Sequence, residues 1–340
     1  MSQQFSSKIQ NLIDVVQQQN ELTPEFTKNI VIESDIQEAD LENWADFNYP
    51  QADSYGRKLL YDGGHFEIMV MSWRKGNFAS LHDHGYTQWG AVKIFGKAEH
   101  AIFEKHNNKI ITIDRREFSA DKVVAVGHDF IHQMGNFNQE PFLSFHLYGA
   151  YGKDGNITAD ARIFDLYKKK ILYTGGGVFF NPGVDTYTTN NEAIEGEFFT
   201  ALRFTIEHLK RVIAASFNID ENLKTQCYYF ISPQFFKKLR QEKYNLDTLS
   251  PAAFQYAYKG CLSYEIRALI DFQCMVIEKN IIEDKLELLH RLSQLRFVLH
   301  DDLFEEYLDV VGDKLIRNKN KIKLENSDIY DKTYIPQFVM

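Results

Sequence analysis

Three histidines in the first half of the chain have the spacing of metal ligands. His82 and His84 stand two residues apart in the segment GNFASLHDHGYTQWGAVKIFG, and His132 follows in DKVVAVGHDFIHQMGN. The first segment has the composition of a strand, in which alternate side chains share a face, so both imidazoles should point the same way while Asp83 points elsewhere. Three imidazoles can bind Zn, Cu, Ni or Fe. The spacing therefore predicts a metal site, against the alternative of histidines that are only hydrogen-bonded in a polar core.

The residues around these histidines resemble the two sequence motifs of the cupin superfamily. The matching positions are Gly76, His82, His84 and Gly96 in the first motif and His132 and Asn136 in the second. Trp89 stands where most cupins carry a carboxylate ligand, and the neighbouring Gln88 is not a carboxylate either. The resemblance therefore implies a cupin barrel whose metal site holds three neutral imidazoles and no anion.

Cysteine dioxygenase and related thiol dioxygenases share this ligand set, and the chain resembles them at further positions. Tyr55 and Arg57 fall where that family carries a Tyr-x-Arg element, and Ser144, His146 and Tyr148 match its Ser-x-His-x-Tyr run. The resemblance is confined to the first half of the chain. It implies nothing about the second half.

The resemblance selects Fe(II) from the metals that three histidines allow. Three ligands on one face of an ion leave positions for substrate and oxygen, and a neutral ligand set accepts an anionic thiolate without placing two anions on one ion. The implied activity is oxidation of a small carboxylate-bearing thiol by O2 to its sulfinic acid, with cysteine as the first candidate substrate and 3-mercaptopropionate as the second. Two other readings stay open: a metal-binding cupin that binds or senses a ligand without turnover, and a cupin oxygenase with a different substrate.

The other matched positions imply roles in a substrate pocket. Arg57, beside Tyr55, would bind the substrate carboxylate through two parallel hydrogen bonds, although most arginines are simply exposed. Ser144, His146 and Tyr148 would form a relay that orients the tyrosine hydroxyl towards the metal, unless their strand faces solvent on that side. The remaining histidines of this half match no ligand position and are expected to be structural or exposed; they are His65, His100, His106 and His128.

Trp89 is also expected to line the pocket. It fills the position from which a cysteine often crosslinks to the tyrosine of the family. The three cysteines of this chain, Cys227, Cys261 and Cys274, all lie in the second half. We therefore expect no crosslink, and an odd number of cysteines argues against a disulfide framework.

Short β-rich segments surround the predicted site. About eight such runs follow one another from Tyr55, with turn signals at residues 62–64 and 106–108, which predicts a closed β-barrel or jelly roll. Helical periodicity precedes and follows this region. The predicted organisation is an N-terminal helical cap over residues 1–50, a cupin β-barrel (double-stranded β-helix) over 51–188, an all-α helical bundle over 189–318 and a polar tail over 319–340.

The second half contains one motif that a metal site could use. Glu287 and His290 form an E-x-x-H unit of the kind found in di-iron helix bundles. Such sites need a second copy and two further carboxylates, and the sequence has no second copy. We therefore expect the helical half to serve in packing, in closing the pocket or in forming a homo-oligomer, without a metal of its own.

The composition narrows the class of partner. The chain has 340 residues, 44% of them hydrophobic and 25% charged, and a formal net charge of −9 with dispersed Lys and Arg. Dispersed cations on an acidic chain argue against binding a nucleic-acid backbone. The sequence has no apolar run of membrane length and starts without the pattern of a signal peptide. It is therefore expected to be cytoplasmic, with a small thiol and O2 as its only predicted small-molecule partners.

Overall fold

The computed structural model describes residues 5–50, 52–128, 130–183, 186–216, 218–250, 252–279 and 281. The chain divides into two compact units. The first consists of Met1–Ala215 with Ala257–Cys261, and the second of Ser216–Tyr256 with Leu262–Met340.

Two short α-helices and a 3₁₀ helix precede the strands. They are α1 (Ser7–Gln17), α2 (Pro24–Glu33) and the 3₁₀ helix Glu38–Trp44. The hydroxyl of Ser6 caps α1 by accepting from the N–H of Ile9, and Thr23 caps α2 ahead of Pro24 at its first position. These local signals explain why the helices begin where they do, and the helices expected within residues 1–50 are present.

Thirteen strands follow within the described residues. They are β1 (Gly56–Asp62), β2 (Phe66–Trp73), β3 (Asn77–Phe78), β4 (Trp89–Ile94), β5 (Ala98–His106), β6 (Lys109–Phe118), β7 (Val123–Gly127), β8 (Ile131–Asn136), β9 (Phe142–Gly149), β10 (Ala161–Asp165), β11 (Lys170–Thr174), β12 (Tyr187–Ala193) and β13 (Glu195–Gly196). They form two five-stranded sheets, ordered β1-β2-β9-β4-β7 and β13-β6-β5-β8-β3, and a three-stranded sheet ordered β10-β11-β12. One core cluster contains side chains from all three sheets. The predicted β-rich region is confirmed.

The three central strands of the first sheet, β2, β9 and β4, are buried on both faces. The inner face of the sheet shares the core just described, and its outer face packs against the N-terminal helices, where Ile9, Leu12 and Ile13 meet Phe145 and Leu147 of β9. Every residue of β9 is accordingly buried. A strand covered on both sides cannot show alternation between apolar and polar residues, and polar residues on its inner face must find partners within the protein.

The predicted boundary after residue 188 is wrong. That position lies within β12, which pairs with β11, and the next helix, α3 (Phe198–Ala215), belongs to the first unit. Buried ion pairs attach α3 to the second sheet: Glu99 Oε1 lies 2.7 Å from Nη1 of Arg115 and 2.9 Å from Nη2 of Arg203. The polar sequence of β12 looks like a linker because most of its described side chains are exposed; Tyr187, at its start, packs against the apolar core.

The helices α4 (Glu221–Tyr229), α5 (Pro233–Thr248) and α6 (Ala252–Glu278) follow. The hydroxyl of Ser232 caps α5 by accepting from the N–H of Phe235, ahead of Pro233 in the first turn. Most of β12 and all of β13 lie at the start of the range 189–318, so the expectation that this range is all-α is wrong there. The rest of the predicted bundle beyond residue 281, the polar tail and the pair Glu287 and His290 lie outside the described residues, and their organisation stays a prediction. Within the part of the chain that the structure describes, no helix combines the length and the apolar character that a membrane span requires.

Candidate metal centre

The two paired histidines lie in the connection between β3 and β4, so the long strand predicted around them is interrupted. His82 forms isolated β-bridges with His132 and with Ile163 of β10. Asp83 points away from the histidines, as predicted, and its carboxylate accepts a 2.8 Å hydrogen bond from the backbone N–H of Arg162. Gly85, at φ +55, turns the chain where a Cβ would lie 2.1 Å from the carbonyl oxygen of Ala159. The three-stranded sheet therefore supports the ligand segment from outside.

The structure brings the three predicted ligands together. One ring nitrogen from each of His82, His84 and His132 lies within 4.8 Å of the others, and all three side chains are buried. Nε2 of His82 and Nε2 of His132 are 3.1 Å apart. Both ring nitrogens of His84 are buried and have no hydrogen-bond partner among the described residues. Buried polar atoms normally have partners, so this arrangement fits a metal ion that would occupy the space between the three rings.

Burial keeps these imidazoles neutral. It lowers the pKa of His82 to about 4, and burial followed by the proximity of His82 lowers the pKa of His84 and of His132 well below the ordinary value. Only a neutral imidazole has a lone pair free for a metal. The folded protein therefore presents the ligands in the protonation state that metal binding needs.

This neutrality predicts that the metal-free protein loses stability in mild acid. The unfolded chain takes up protons as the pH falls through about 6.5, whereas His82 in the folded protein stays neutral down to about pH 4. The unfolded state binds more protons in this window, so the free energy of unfolding should decrease by about 2 kcal/mol per such histidine between pH 7 and pH 5. Chemical denaturation of the metal-free protein at both pH values measures this decrease in the free energy of unfolding. His82→Gln should make the dependence shallower; a slope equal to that of wild type would contradict the assignment.

The other nitrogens of two ligands have defined partners. Nδ1 of His82 lies 2.8 Å from the carbonyl oxygen of Ser80, and Nδ1 of His132 lies 2.9 Å from Nε2 of His100. His100 is buried, and sequence reasoning did not anticipate its contact with a ligand. It stands diagonally across from His132 in the antiparallel pair β5 and β8, since Ile102 is the partner of His132 in the register. Without that register, no sequence signal relates the two histidines.

The strand β9 turns its polar residues inward. Ser144 Oγ lies 2.7 Å from Nε2 of His146, whose Nδ1 lies 2.7 Å from the hydroxyl of Tyr148. All three side chains are buried, and the ring of Tyr148 lies 5.4 Å from that of His84. The alternative of a solvent-facing polar strand is therefore wrong. Trp73, which sequence reasoning missed, extends the series by donating a 2.8 Å hydrogen bond to Ser144 Oγ.

Arg57 is half-buried and faces the same interior. Its Nη2 donates a 2.9 Å hydrogen bond to Thr158 Oγ1, and that hydroxyl lies 3.2 Å from Oε2 of the buried Glu67. Burial, and after it the positive charge of the Arg57 guanidinium, lower the pKa of His146 to about 3. Tyr55 is buried against Trp73, with ring centroids 4.8 Å apart. Thr158 and Glu67 were not predicted, because they match no motif and approach Arg57 only through the fold.

The expectation that Trp89 lines the pocket is wrong. Trp89 pairs with Gly149, and the next residue, Gly90, pairs with Tyr148. Paired residues share a face, so Trp89 lies on the face opposite the tyrosine, where it joins the cluster of the N-terminal helices. The residue beside the Tyr148 ring is Gly90, where a Cβ would lie 2.7 Å from that ring. The motif position that Trp89 fills does not by itself determine the face of β4 on which its side chain lies.

The sequence of the first half of the chain resembles proteins of one family. Residues 1–151 match the family described as Cysteine dioxygenase type I. Cysteine dioxygenase type 1 of Homo sapiens is 26% identical over 117 residues, which are 33% of this chain and 58% of that protein. The protein of the same name from Rattus norvegicus is 27% identical over 100 residues, 28% of this chain and 50% of that protein. The chain thus spans less than two thirds of the length of these relatives.

Solved structures that resemble the chain include cupins. A conserved protein with a double-stranded β-helix domain from Klebsiella pneumoniae matches with a TM-score of 0.26 at 14% identity, covering 33% of this chain and 89% of that one. The Cnp3 cupin domain of Schizosaccharomyces pombe matches with a TM-score of 0.24 at 14% identity, covering 29% of this chain and 66% of that one.

Proposed function

We propose that this chain, which is similar to the cysteine dioxygenase type I family over residues 1–151, is a thiol dioxygenase. Its substrate would be a small carboxylate-bearing thiol, cysteine first and 3-mercaptopropionate second. The reaction combines RSH and O2 into RSO2H, so both oxygen atoms enter the product and no external reductant is needed. The observation that supports this most is that three histidines, the Tyr148 hydroxyl and the Arg57 guanidinium face one buried interior.

The proposed metal is Fe(II), held by His82, His84 and His132. The support is the converging set of buried neutral imidazoles together with the family resemblance. When bound, Fe(II) supplies a Lewis-acidic, redox-active centre at which the thiol and O2 can react. The three ligands come from the segment before β4 and from β8. Zn, Cu and Ni remain the metals to exclude by elemental analysis.

Hydrogen-bond directions along β9 assign a role to Tyr148. The indole N–H of Trp73 can only donate, so Ser144 Oγ accepts from it; we assign the hydroxyl proton of Ser144 to its hydrogen bond with Nε2 of His146. Nδ1 of the neutral His146 then carries the ring proton and donates a hydrogen bond to the oxygen of Tyr148. In this assignment the tyrosine O–H is free to donate towards the reacting oxygen or the substrate. Burial raises the pKa of Tyr148, so the hydroxyl keeps its proton.

Oxygen consumption with a set of thiols tests the proposal. The iron-loaded protein should consume one O2 per thiol with cysteine or 3-mercaptopropionate and form the sulfinic acid, identified by mass spectrometry. The metal-free protein is the control. If the iron-loaded protein binds a thiol but consumes no O2 above that control, the chain is a metal-binding sensor and the proposed activity is wrong.

Tyr148→Phe is expected to keep the metal and lose most turnover. The substitution removes one hydroxyl from a buried network and leaves the three histidines in place. A hydrogen bond to a charged or reacting group contributes about 1.5 to 3 kcal/mol, so kcat should fall by roughly ten- to a hundredfold. Tyr61→Phe is the matched control, because the Tyr61 hydroxyl accepts a 2.8 Å hydrogen bond from Nε2 of the exposed Gln17. Unchanged turnover with full metal content in Tyr148→Phe would show that the relay is not used.

A further inference from the structure

We propose that His100 is a positioning residue of the metal centre. Through its hydrogen bond to Nδ1 of His132, it fixes which nitrogen of that ligand faces the ion. The inference rests on the proposed metal site but not on the identity of the substrate. His100 is not among the motif positions matched in the sequence analysis.

The ring of His132 is held at both ends. Its Nε2 lies 3.1 Å from Nε2 of His82, on the side of the ligand cluster, and its Nδ1 lies 2.9 Å from Nε2 of His100. A neutral imidazole carries one proton and one lone pair. If Nε2 binds the ion, the proton must be on Nδ1, and Nε2 of His100 must accept it. His100 therefore selects the tautomer of His132 that leaves the correct lone pair free.

The position of His100 is fixed by its surroundings. Its ring stacks with that of Phe118, at 4.9 Å and 21°, and with that of Phe130, at 5.8 Å and 17°. The side chain is buried, with 3% of its surface exposed. Two aromatic neighbours restrict rotation of the imidazole, so its acceptor nitrogen stays directed at His132. A freely rotating acceptor would not define the orientation of the ligand.

The other two ligands have no side chain hydrogen-bonded to their second ring nitrogen among the described residues. His82 donates from Nδ1 to a backbone carbonyl, that of Ser80, which no substitution of a side chain removes. His84 has no such partner among the described residues. His100 is thus the side chain through which the ligand set can be perturbed without touching a ligand. Ligand partners of this kind typically change metal affinity by about ten- to a hundredfold when removed.

Binding of Co(II) to the metal-free full-length chain tests the inference without any assay of activity. His100→Phe keeps an aromatic ring between Phe118 and Phe130 but removes the acceptor. His100→Gln keeps an acceptor oxygen. Competition with a chelator should give Co(II) binding about ten- to a hundredfold weaker in His100→Phe than in wild type, with at least partial recovery in His100→Gln. The visible spectrum of the fully loaded His100→Phe protein should also differ from that of wild type.

Controls separate this role from a structural one. The exposed His106→Phe, on the same strand, should bind Co(II) as wild type does. All affinities are measured below the unfolding transition of each metal-free variant, so that loss of fold does not imitate loss of affinity. Equal affinity and an unchanged spectrum in His100→Phe, or no recovery in His100→Gln, would overturn the inference and leave the metal site intact. A wild-type protein that binds neither Co(II) nor Fe(II) would overturn both the inference and the proposed function.

Discussion

His132→Ala is expected to leave the purified protein with little or no iron. Wild type should carry about one iron per chain, because the three imidazoles converge on a single position. Structural Zn²⁺ sites with four ligands bind with roughly 10 to 16 kcal/mol, or about 3 kcal/mol per ligand, so the loss of one of three ligands should weaken binding by at least a hundredfold. Elemental analysis of the purified variants measures the iron content per chain. His82→Ala and His84→Ala should behave alike.

The exposed His106→Ala is the control for this experiment, because it removes an imidazole that lies on the surface. The free energy of unfolding of each metal-free variant shows whether the fold survives the substitution. Full iron in a folded His132→Ala protein would contradict the assignment of His132, and with it the role of His100. Full zinc in place of iron in the wild-type protein would leave the ligands correct and make the proposed metal wrong.

The sequence predicts most of the site because its residues occur in pairs with fixed local geometry. His82 and His84, separated by one residue, converge with His132 although they lie outside a regular strand. Ser144, His146 and Tyr148 alternate along the continuous strand β9. Their relative directions depend on the backbone between neighbours and not on the rest of the fold. Where such a series lies within one regular strand, as on β9, the sequence predicts which side chains meet.

The same rule fails where the backbone between two residues is irregular or where they lie on different strands. Trp89 follows a turn at Gly85, so its face does not follow from that of His84, and a shift of one residue reverses the face. The contact between His100 and His132 depends on the register of β5 against β8. Thr158 reaches Arg57 from a position 101 residues away in the chain. Such relations require the folded structure.

The polar strand β12 shows the corresponding failure for domain organisation. Its sequence, rich in Thr and Asn, lacks the apolar residues that mark a strand, yet it pairs with β11 over Thr174 to Lys170. Helix α3 has the expected helical periodicity, but its buried Arg203 pairs with Glu99 of β5. Periodicity predicts the element type and does not reveal the surface against which the element packs.

Arg57→Ala is expected to impair the oxidation of carboxylate-bearing thiols selectively. Nη2 of Arg57 already binds Thr158 Oγ1, whereas Nε is buried and has no hydrogen-bond partner within the described residues. A substrate carboxylate would satisfy that nitrogen. A small thiol held through sulfur alone would rotate about the metal, and a second anchor at its far end reduces the entropic cost of reaching the reactive geometry. The role of Arg57 as that anchor is therefore a prediction about substrate choice.

The expected effect is large because the pair would be charged and partly desolvated. Hydrogen bonds to charged groups contribute about 1.5 to 3 kcal/mol each, so kcat/KM for cysteine or 3-mercaptopropionate should fall at least tenfold in Arg57→Ala. Cysteamine, which has no carboxylate, should be affected much less. Arg57→Lys should recover only part of the loss, since an ammonium supplies charge without the planar fork of a guanidinium. If Arg57→Ala lowers the rates with all three thiols equally, or if wild type prefers cysteamine, Arg57 serves the fold through Thr158 and the carboxylate-bearing substrate is wrong.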